Sequence, residues 1–309
     1  MTSTKAELPD PLRTGTHLVG LDGKGITRAA IQSPAVITIH GFTASADRLG
    51  GLHDSLEQHG FSVAALHYHS FAGIDNAAHD LSVRLKLVRP PLQEHGFVLL
   101  GHSMGGLVAR YYAQVIHDEP RSSLRGIITL GTPHIGFQLK HGKKLLQLLV
   151  NAFEYYYGRL EPLAMNGRSA RQMLHQDPER LLYNLTTAKL PVPVLSVSGG
   201  LRWVAFAGNS QANVAANKTA QLILGKLDND GLVRESNANP AMDARMGGDH
   251  KHDNAYRDYL TTNHTALPDN QLVRADIVEW LHSVHGNACP AGCHGLTAAI
   301  PAKTHIKAD

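Results

Sequence analysis

The apolar run Phe97-Val98-Leu99-Leu100 passes directly into Gly101-His102-Ser103-Met104-Gly105-Gly106, followed by a stretch with Leu107, Tyr111 and Val115 on one helical face. A strand that stops at a glycine and reopens as a helix within a few residues fits few architectures. Such a turn needs small residues on both sides of the serine. A strained elbow presses those positions against neighbouring backbone and leaves the serine Oγ exposed above the sheet edge. Ser103 is therefore the nucleophile candidate. Adjacent positions on a turn point apart, so His102 is aimed away from Ser103 and is read as packing.

The same alternation recurs along the chain. Short β-rich runs at Ala35–Ile39, Ser62–Leu66, Ile127–Leu130 and Val194–Val197 are separated by helix-length stretches. Among these are Asp47–His59, ended by Gly60, and Asn76–Val88, stopped by Arg89-Pro90-Pro91. Continuous apolar runs joined by helical crossovers read as a parallel sheet buried on both faces, hence an α/β fold. Ahead of it, Thr16–Leu21 and Ile26–Ile31 flank Asp22-Gly23-Lys24-Gly25 and read as an antiparallel hairpin. Behind it, Ala255–Thr261 reads as a final strand. Asp269 is placed to cap a closing helix carrying Val273, Ile277, Trp280 and Leu281.

With 309 residues, 43% hydrophobic and 18% charged, the chain can bury one large α/β core without disulfides. The formal charge of +3 is spread along the chain, which argues against a nucleic-acid binder. No apolar run reaches the about 18 residues of a membrane span. Met1–Pro9 lacks a basic segment followed by an apolar one, so a cytoplasmic chain is expected if Met1 is the native start, and a secreted one if a leader preceded it. Cys289 and Cys293, with His294, fall short of a four-ligand set and sit in a tail of residues 286–309. No cofactor or metal is expected.

Residues 139–190 exceed any ordinary connection and read as an inserted subdomain, leaving 1–138 and 191–285 as the core. Within the insertion, Lys143–Tyr157 is strongly amphipathic. Leu145, Leu149, Ala152 and Tyr156 form one stripe, Leu146, Val150, Phe153 and Tyr157 the next. A lid over an apolar cleft, with transient contact to lipid, and a helix packed on the core explain the stripes equally well.

On the Gly101–Gly105 motif and its strand–turn–helix setting, the sequence resembles the α/β-hydrolase superfamily, and within it the bacterial lipases and esterases, over about residues 15–285. His40-Gly41-Phe42 resembles their oxyanion loop, which implies Phe42 and Met104 as the backbone N–H donors. Leu130-Gly131-Thr132-Pro133-His134-Ile135-Gly136 resembles the segment before their lid, with His134 structural because it precedes the candidate acid.

The acid and then the base must follow the serine. Asp228-Asn229-Asp230-Gly231-Leu232-Val233 resembles the lipase segment in which the aspartate before glycine is the acid, so Asp230 is preferred over Asp228; a solvated Asx turn also fits this composition. Among His250, His252 and His264, only His264 lies past the carboxyl end of the last strand, where groups of an open parallel sheet do chemistry. The chain has 20 histidines, so most are bystanders.

The lipases that hold calcium through an aspartate soon after the histidine have no counterpart in Thr265-Ala266-Leu267-Pro268. Asp249, His250, His252 and Asp253 read as a polar loop. The resemblance implies a serine ester hydrolase with a Ser103–Asp230–His264 triad acting on small-molecule or lipid esters. The alternatives are a short-chain esterase, thioesterase or acyltransferase on the same triad, or a silent binding protein of that fold.

Overall fold

The computed structural model describes residues 17–20, 25–117, 123–137, 144, 167–174, 180–188, 190–204, 210–225, 228–238 and 254–286. Seven strands form one sheet: β1 (His17–Val19), β2 (Ala35–Ile39), β3 (Ser62–His67), β4 (Phe97–His102), β5 (Leu124–Leu130), β6 (Val194–Gly199) and β7 (Asn254–Tyr259). Their spatial order is β1-β3-β2-β4-β5-β6-β7, and only β1 runs antiparallel to its neighbour. After β2 the chain steps outward to β3, then returns to the other side of β2 for β4. The sheet therefore reverses its winding between β2 and β4, the position at which open sheets of this kind place their ligand crevice, beyond the carboxyl ends of the strands. His40 and Ser103 lie at those ends of β2 and β4.

Each central strand feeds two cores. Ile37 and Ile39 of β2 and Leu99 of β4 pack into one apolar cluster, while Val36, Val98 and Leu100 pack into the other. Covering the first face are α2 (Ile74–Leu87) and α4 (Met104–Tyr111); α1 (Gly50–Gln58) and α9 (Gln271–Val284) cover the second. Gly126 on β5 admits the latter helix closely, since a Cβ there would meet Trp280 Cη2 at 2.5 Å. The chain has the α/β-hydrolase architecture, a mostly parallel sheet flanked by helices.

Several local expectations change. The hairpin is confined to its base: Val19 and Gly25 form an antiparallel bridge and Ile26 N–H donates to the Leu18 carbonyl at 3.0 Å, while β1 pairs with β3 and Arg28–Ala30 is a turn of 3-10 helix instead of strand. Arg28 Nε there donates to the Leu87 carbonyl, satisfying an open acceptor at the end of α2. Arg89-Pro90-Pro91 ends α2 but also begins α3 (Arg89–His95), because proline suits a first helical turn, where its missing N–H costs nothing. Past Tyr111, α4 continues as a π turn, Tyr112–Ile116. Its extra residue rotates the face, leaving Val115 53% exposed although Leu107 is buried. The closing helix is capped by Asn270, whose Oδ1 accepts from Leu272 and Val273 N–H, while Asp269 pairs with Arg274.

Of the insertion, α5 (Arg168–Met173) and α6 (Leu181–Thr187) are described, and their Ala170, Met173, Leu182 and Leu185 belong to the first core cluster. Phe137 N–H donates to the Met173 carbonyl, joining the segment just before residue 139 to the end of α5. The amphipathic stretch Lys143–Tyr157, apart from Lys144, lies outside the described residues, as do His250, His252, Cys289 and Cys293. No described helix is long and apolar enough to cross a membrane.

Candidate active site

Ser103 sits between β4 and α4 with φ 54° and ψ −124°, a conformation that costs a non-glycine residue about 1–3 kcal/mol and persists only where its surroundings enforce it. Those surroundings are glycines and backbone hydrogen bonds, with the Ser103 carbonyl accepting from Gly106 N–H at 3.1 Å and Thr132 Oγ1 at 2.9 Å. Ser103 N–H donates to the Leu130 carbonyl at 2.8 Å. A Cβ on Gly101 would strike Gly106 N at 2.2 Å, and one on Gly105 would strike the Ile39 carbonyl oxygen at 2.1 Å. The elbow is thus pressed onto the end of β2 on one side and the end of β5 on the other.

His264 and Asp230 meet across the carboxyl ends of β5 and β6. His264 Nδ1 donates to Asp230 Oδ2 at 2.8 Å, both side chains being nearly inaccessible at 3% and 1%. The second carboxylate oxygen, Oδ1, accepts N–H groups of Leu232 (3.0 Å) and Val233 (2.7 Å). A buried carboxylate needs such donors. Here they come from the turn that Gly231 makes at φ +97°. His264 N–H also donates to the Asp230 carbonyl at 2.9 Å, so the pair is joined through backbone and side chain alike. With Nδ1 protonated toward Asp230, Nε2 is the basic nitrogen of a neutral His264 ring. Gly131 lies at their junction, where a Cβ would be 2.8 Å from His264 Nδ1 and 3.0 Å from Asp230 Oδ2. Asp228 instead faces Arg202 at 3.3 Å in solvent.

On the other side of Ser103 lies the loop His40–Thr43. A Cβ on Gly41 would come within 2.9 Å of Ser103 Cβ. Phe42 and Met104 are buried, yet among the described residues neither backbone N–H has an acceptor. Buried N–H groups are almost always paired, so two open ones flanking a serine mark a place for an oxygen from elsewhere.

The sequence model of the serine aminopeptidase family S33 matches residues 32–260, well over half of the chain. The chain belongs to this α/β-hydrolase family. Mature lipase BlEst2 of Bacillus licheniformis superposes with a TM-score of 0.60 at 16% identity, over 86% of this chain and 98% of that one. The monoacylglycerol lipase of Paleococcus ferrophilus gives 0.52 at 14% identity, over 87% and 98%. At these identities the likeness is one of fold.

Two groups of this hydrolase, one half-buried and one fully buried, escape a reading of the sequence. The first is His102. Its Nε2 donates to the His264 main-chain carbonyl at 3.0 Å, and the two rings lie 5.0 Å apart. Burial first, and then the facing His264 ring, push the His102 pKa down to about 3, so it is a neutral donor throughout the ordinary pH range. Instead of only packing, it holds the backbone of the histidine that meets Asp230.

The second is Arg110 on α4, fully buried with no carboxylate against it among the described residues. Its donors go to neutral acceptors: His134 Nδ1 (3.0 Å), the Leu185 carbonyl (2.7 Å) and Gln114 Oε1 (3.2 Å). Burial alone pulls its pKa down to about 9. His134, as expected, is structural. It bridges Arg110 to Thr129 Oγ1, and its pKa lies well below the ordinary value because of burial and then the neighbouring guanidinium. Arg110 thereby ties both flanks of the insertion to the helix that follows Ser103. The signal for either role lies in spatial partners 75 to 162 positions away, which no local motif records.

Proposed function

We propose that this chain is a serine carboxylic-ester hydrolase of the lipase and esterase type. The observation that carries the proposal is the buried Asp230–His264 pair facing the same sheet edge as the strained Ser103 elbow. Ser103 Oγ attacks the ester carbonyl carbon while His264 Nε2 takes its proton, and Asp230 holds the ring tautomer and stabilises the imidazolium. The carbonyl oxygen, now negative, accepts from Phe42 and Met104 N–H, donors worth about 3–4 kcal/mol of barrier each. The leaving alcohol takes the proton from His264 and an acyl-enzyme remains. Water then attacks it with His264 again as base, releasing the acid and restoring Ser103.

A serine-directed fluorophosphonate tests the reading. Wild type should be labelled at Ser103 and Ser103→Ala should not. An unlabelled wild type, or equal labelling of the variant, contradicts it. Amide substrates pass through the same acyl-enzyme, so an ester and an aminoacyl anilide are to be compared, with faster turnover of the ester expected. A lid role for Lys143–Tyr157, one of the two readings its apolar stripes allow, would fit a lipid ester as substrate. Leu149→Asp with Phe153→Asp should then remove any rise in rate beyond the solubility limit of a long-chain ester while sparing a soluble short-chain one. Equal losses on both would assign the helix to the acyl pocket alone.

A further inference from the structure

The proposed oxyanion loop is braced locally at one point only, the Gly41 carbonyl, which accepts from Ala44 N–H at 3.2 Å and from His40 Nδ1 at 3.0 Å. Thr43 is held at φ 61°, a left-handed conformation poorly suited to a β-branched residue, and its own side chain reaches only the adjacent Phe42 carbonyl. Its support comes from the segment between β3 and α2. There Tyr68 Oη donates to the His40 carbonyl at 2.7 Å and stacks on the His40 ring at 4.3 Å. Ser70 Oγ accepts the Thr43 N–H at 3.1 Å. Phe71 packs edge-on to Phe42, with centroids 5.5 Å apart. Three residues of one loop hold three of the other.

That bracing segment is in turn fastened to the insertion. Ser169 N–H donates to the Phe71 carbonyl and Ser169 Oγ accepts the Gly73 N–H at 3.0 Å. Gln172 Oε1 accepts the Ile74 N–H at 2.6 Å, and its Nε2 donates to Asp75 Oδ1 at 2.8 Å. Arg168 completes the set with a two-pronged contact, Nε to Asp75 Oδ1 at 3.2 Å and Nη2 to Oδ2 at 2.5 Å. Ser169, Gln172 and Asp75 are buried, so none of these bonds can be exchanged for water without opening the packing. The donors around it hold the Asp75 carboxyl below the ordinary carboxylate range despite burial, which by itself would raise it. Gly73, at φ +130°, leaves the space: a Cβ there would meet Asp75 Oδ1 at 2.7 Å and Arg168 Cδ at 2.9 Å.

We propose that Asp75 is a positioning residue for the oxyanion loop, acting through the Tyr68–Phe71 segment, and that Arg168 and Gln172 of the insertion hold it in that role. The inference rests on the ester-hydrolase reading and deepens it. The insertion becomes part of the scaffold that aims the Phe42 N–H, so a disturbance at α5 reaches the site through hydrogen bonds and packing, without touching substrate. The carboxylate is the hub because it alone accepts from both insertion side chains.

Asp75→Asn and Arg168→Gln should lower kcat on a soluble short-chain ester by about tenfold or more, the scale of a small misplacement in a catalytic site, with KM changed less than about threefold. A second readout isolates the oxyanion donors. Sulfur is a poorer acceptor of N–H than oxygen, so the ratio of rates on an oxygen ester and its thiono analogue should fall together with kcat. Arg168→Lys, which keeps the charge and loses the fork, should fall between wild type and Arg168→Gln.

Arg168 is partly exposed, so Arg168→Gln carries the test if Asp75→Asn does not fold. An unchanged rate ratio, whether or not kcat falls, overturns the proposal, as does a kcat within about twofold of wild type in both variants. Wild type that is not labelled by fluorophosphonate sinks the hydrolase reading. Labelled wild type with indifferent Asp75 and Arg168 variants sinks the positioning role alone.

Discussion

The two sides of Ser103 are held to different degrees by distant parts of the chain. On the proposed acid–base wall, Asp230 is fixed by N–H groups two and three residues further along its own turn, and His264 by the backbone and side chain of Asp230 and by His102 Nε2, which donates to its carbonyl. On the proposed oxyanion wall, the loop His40–Thr43 adds to its own bonds at the Gly41 carbonyl the support of Tyr68, Ser70 and Phe71, and that segment is fastened to Ser169, Gln172 and Arg168, about a hundred residues further along. A locally braced wall tolerates change elsewhere in the chain. A wall braced by distant elements transmits such change to the site.

The largest effect is expected on the acid–base wall. His264→Ala and Asp230→Asn should each lower kcat by about four orders of magnitude, as removal of a member does in other triads, with thermal stability a separate measurement. His250→Ala and His252→Ala should stay within about twofold. A comparable loss at His250 would break the assignment of the base and with it the contrast between the walls. Next comes Gly41→Ala, whose Cβ would press on Ser103 Cβ. It should cost about ten- to a hundredfold in kcat through misplacement alone. A variant at wild-type rate would show that the oxyanion wall yields more than its packing suggests.

A smaller effect is expected at the bond between the walls. His102→Phe removes the donor to the His264 carbonyl, worth about 1 kcal/mol or roughly fivefold in kcat, and His102→Gln should restore part of it. Equal losses in the two variants would return His102 to packing alone.

The mildest effect concerns acid stability. His40 and His53 are held neutral by burial, their pKa values pushed down from 6.5 to about 4. In the unfolded chain these rings take up protons as pH falls below 6.5, while in the folded protein they do not until about 4. The unfolded state then binds more protons, so Tm should be highest above that window and decline as pH drops through it. His53→Gln, retaining a partner for Thr38 Oγ1, should flatten the decline. An unchanged slope would remove His53 from the account.

The strand–elbow–helix around Ser103, the six parallel runs and the Asp-Gly turn at Asp230 were legible because each depends on neighbours in sequence. Small residues permit a strained turn, apolar runs are buried on both faces, and a glycine after the aspartate frees two N–H groups for its carboxylate. Where the reading went astray, a competing partner lay far off. Ile26–Ile31 had strand spacing, but β3 offered β1 a better edge, and Arg28 found an acceptor at the end of α2. Val115 had helical spacing, but a π turn rotated it outward.

What the sequence determined by itself was the sheet with its helices and the candidate nucleophile, since periodicity and turn chemistry act over a few residues. Only the tertiary structure decided that His264 meets Asp230 rather than Asp228, that His102 supports His264, and that Asp75, Arg168 and Gln172 stand behind the oxyanion loop. Hydrogen bonds between buried groups are set by which elements the fold brings within about 3 Å, and that proximity is a property of the packed chain that no spacing along it encodes.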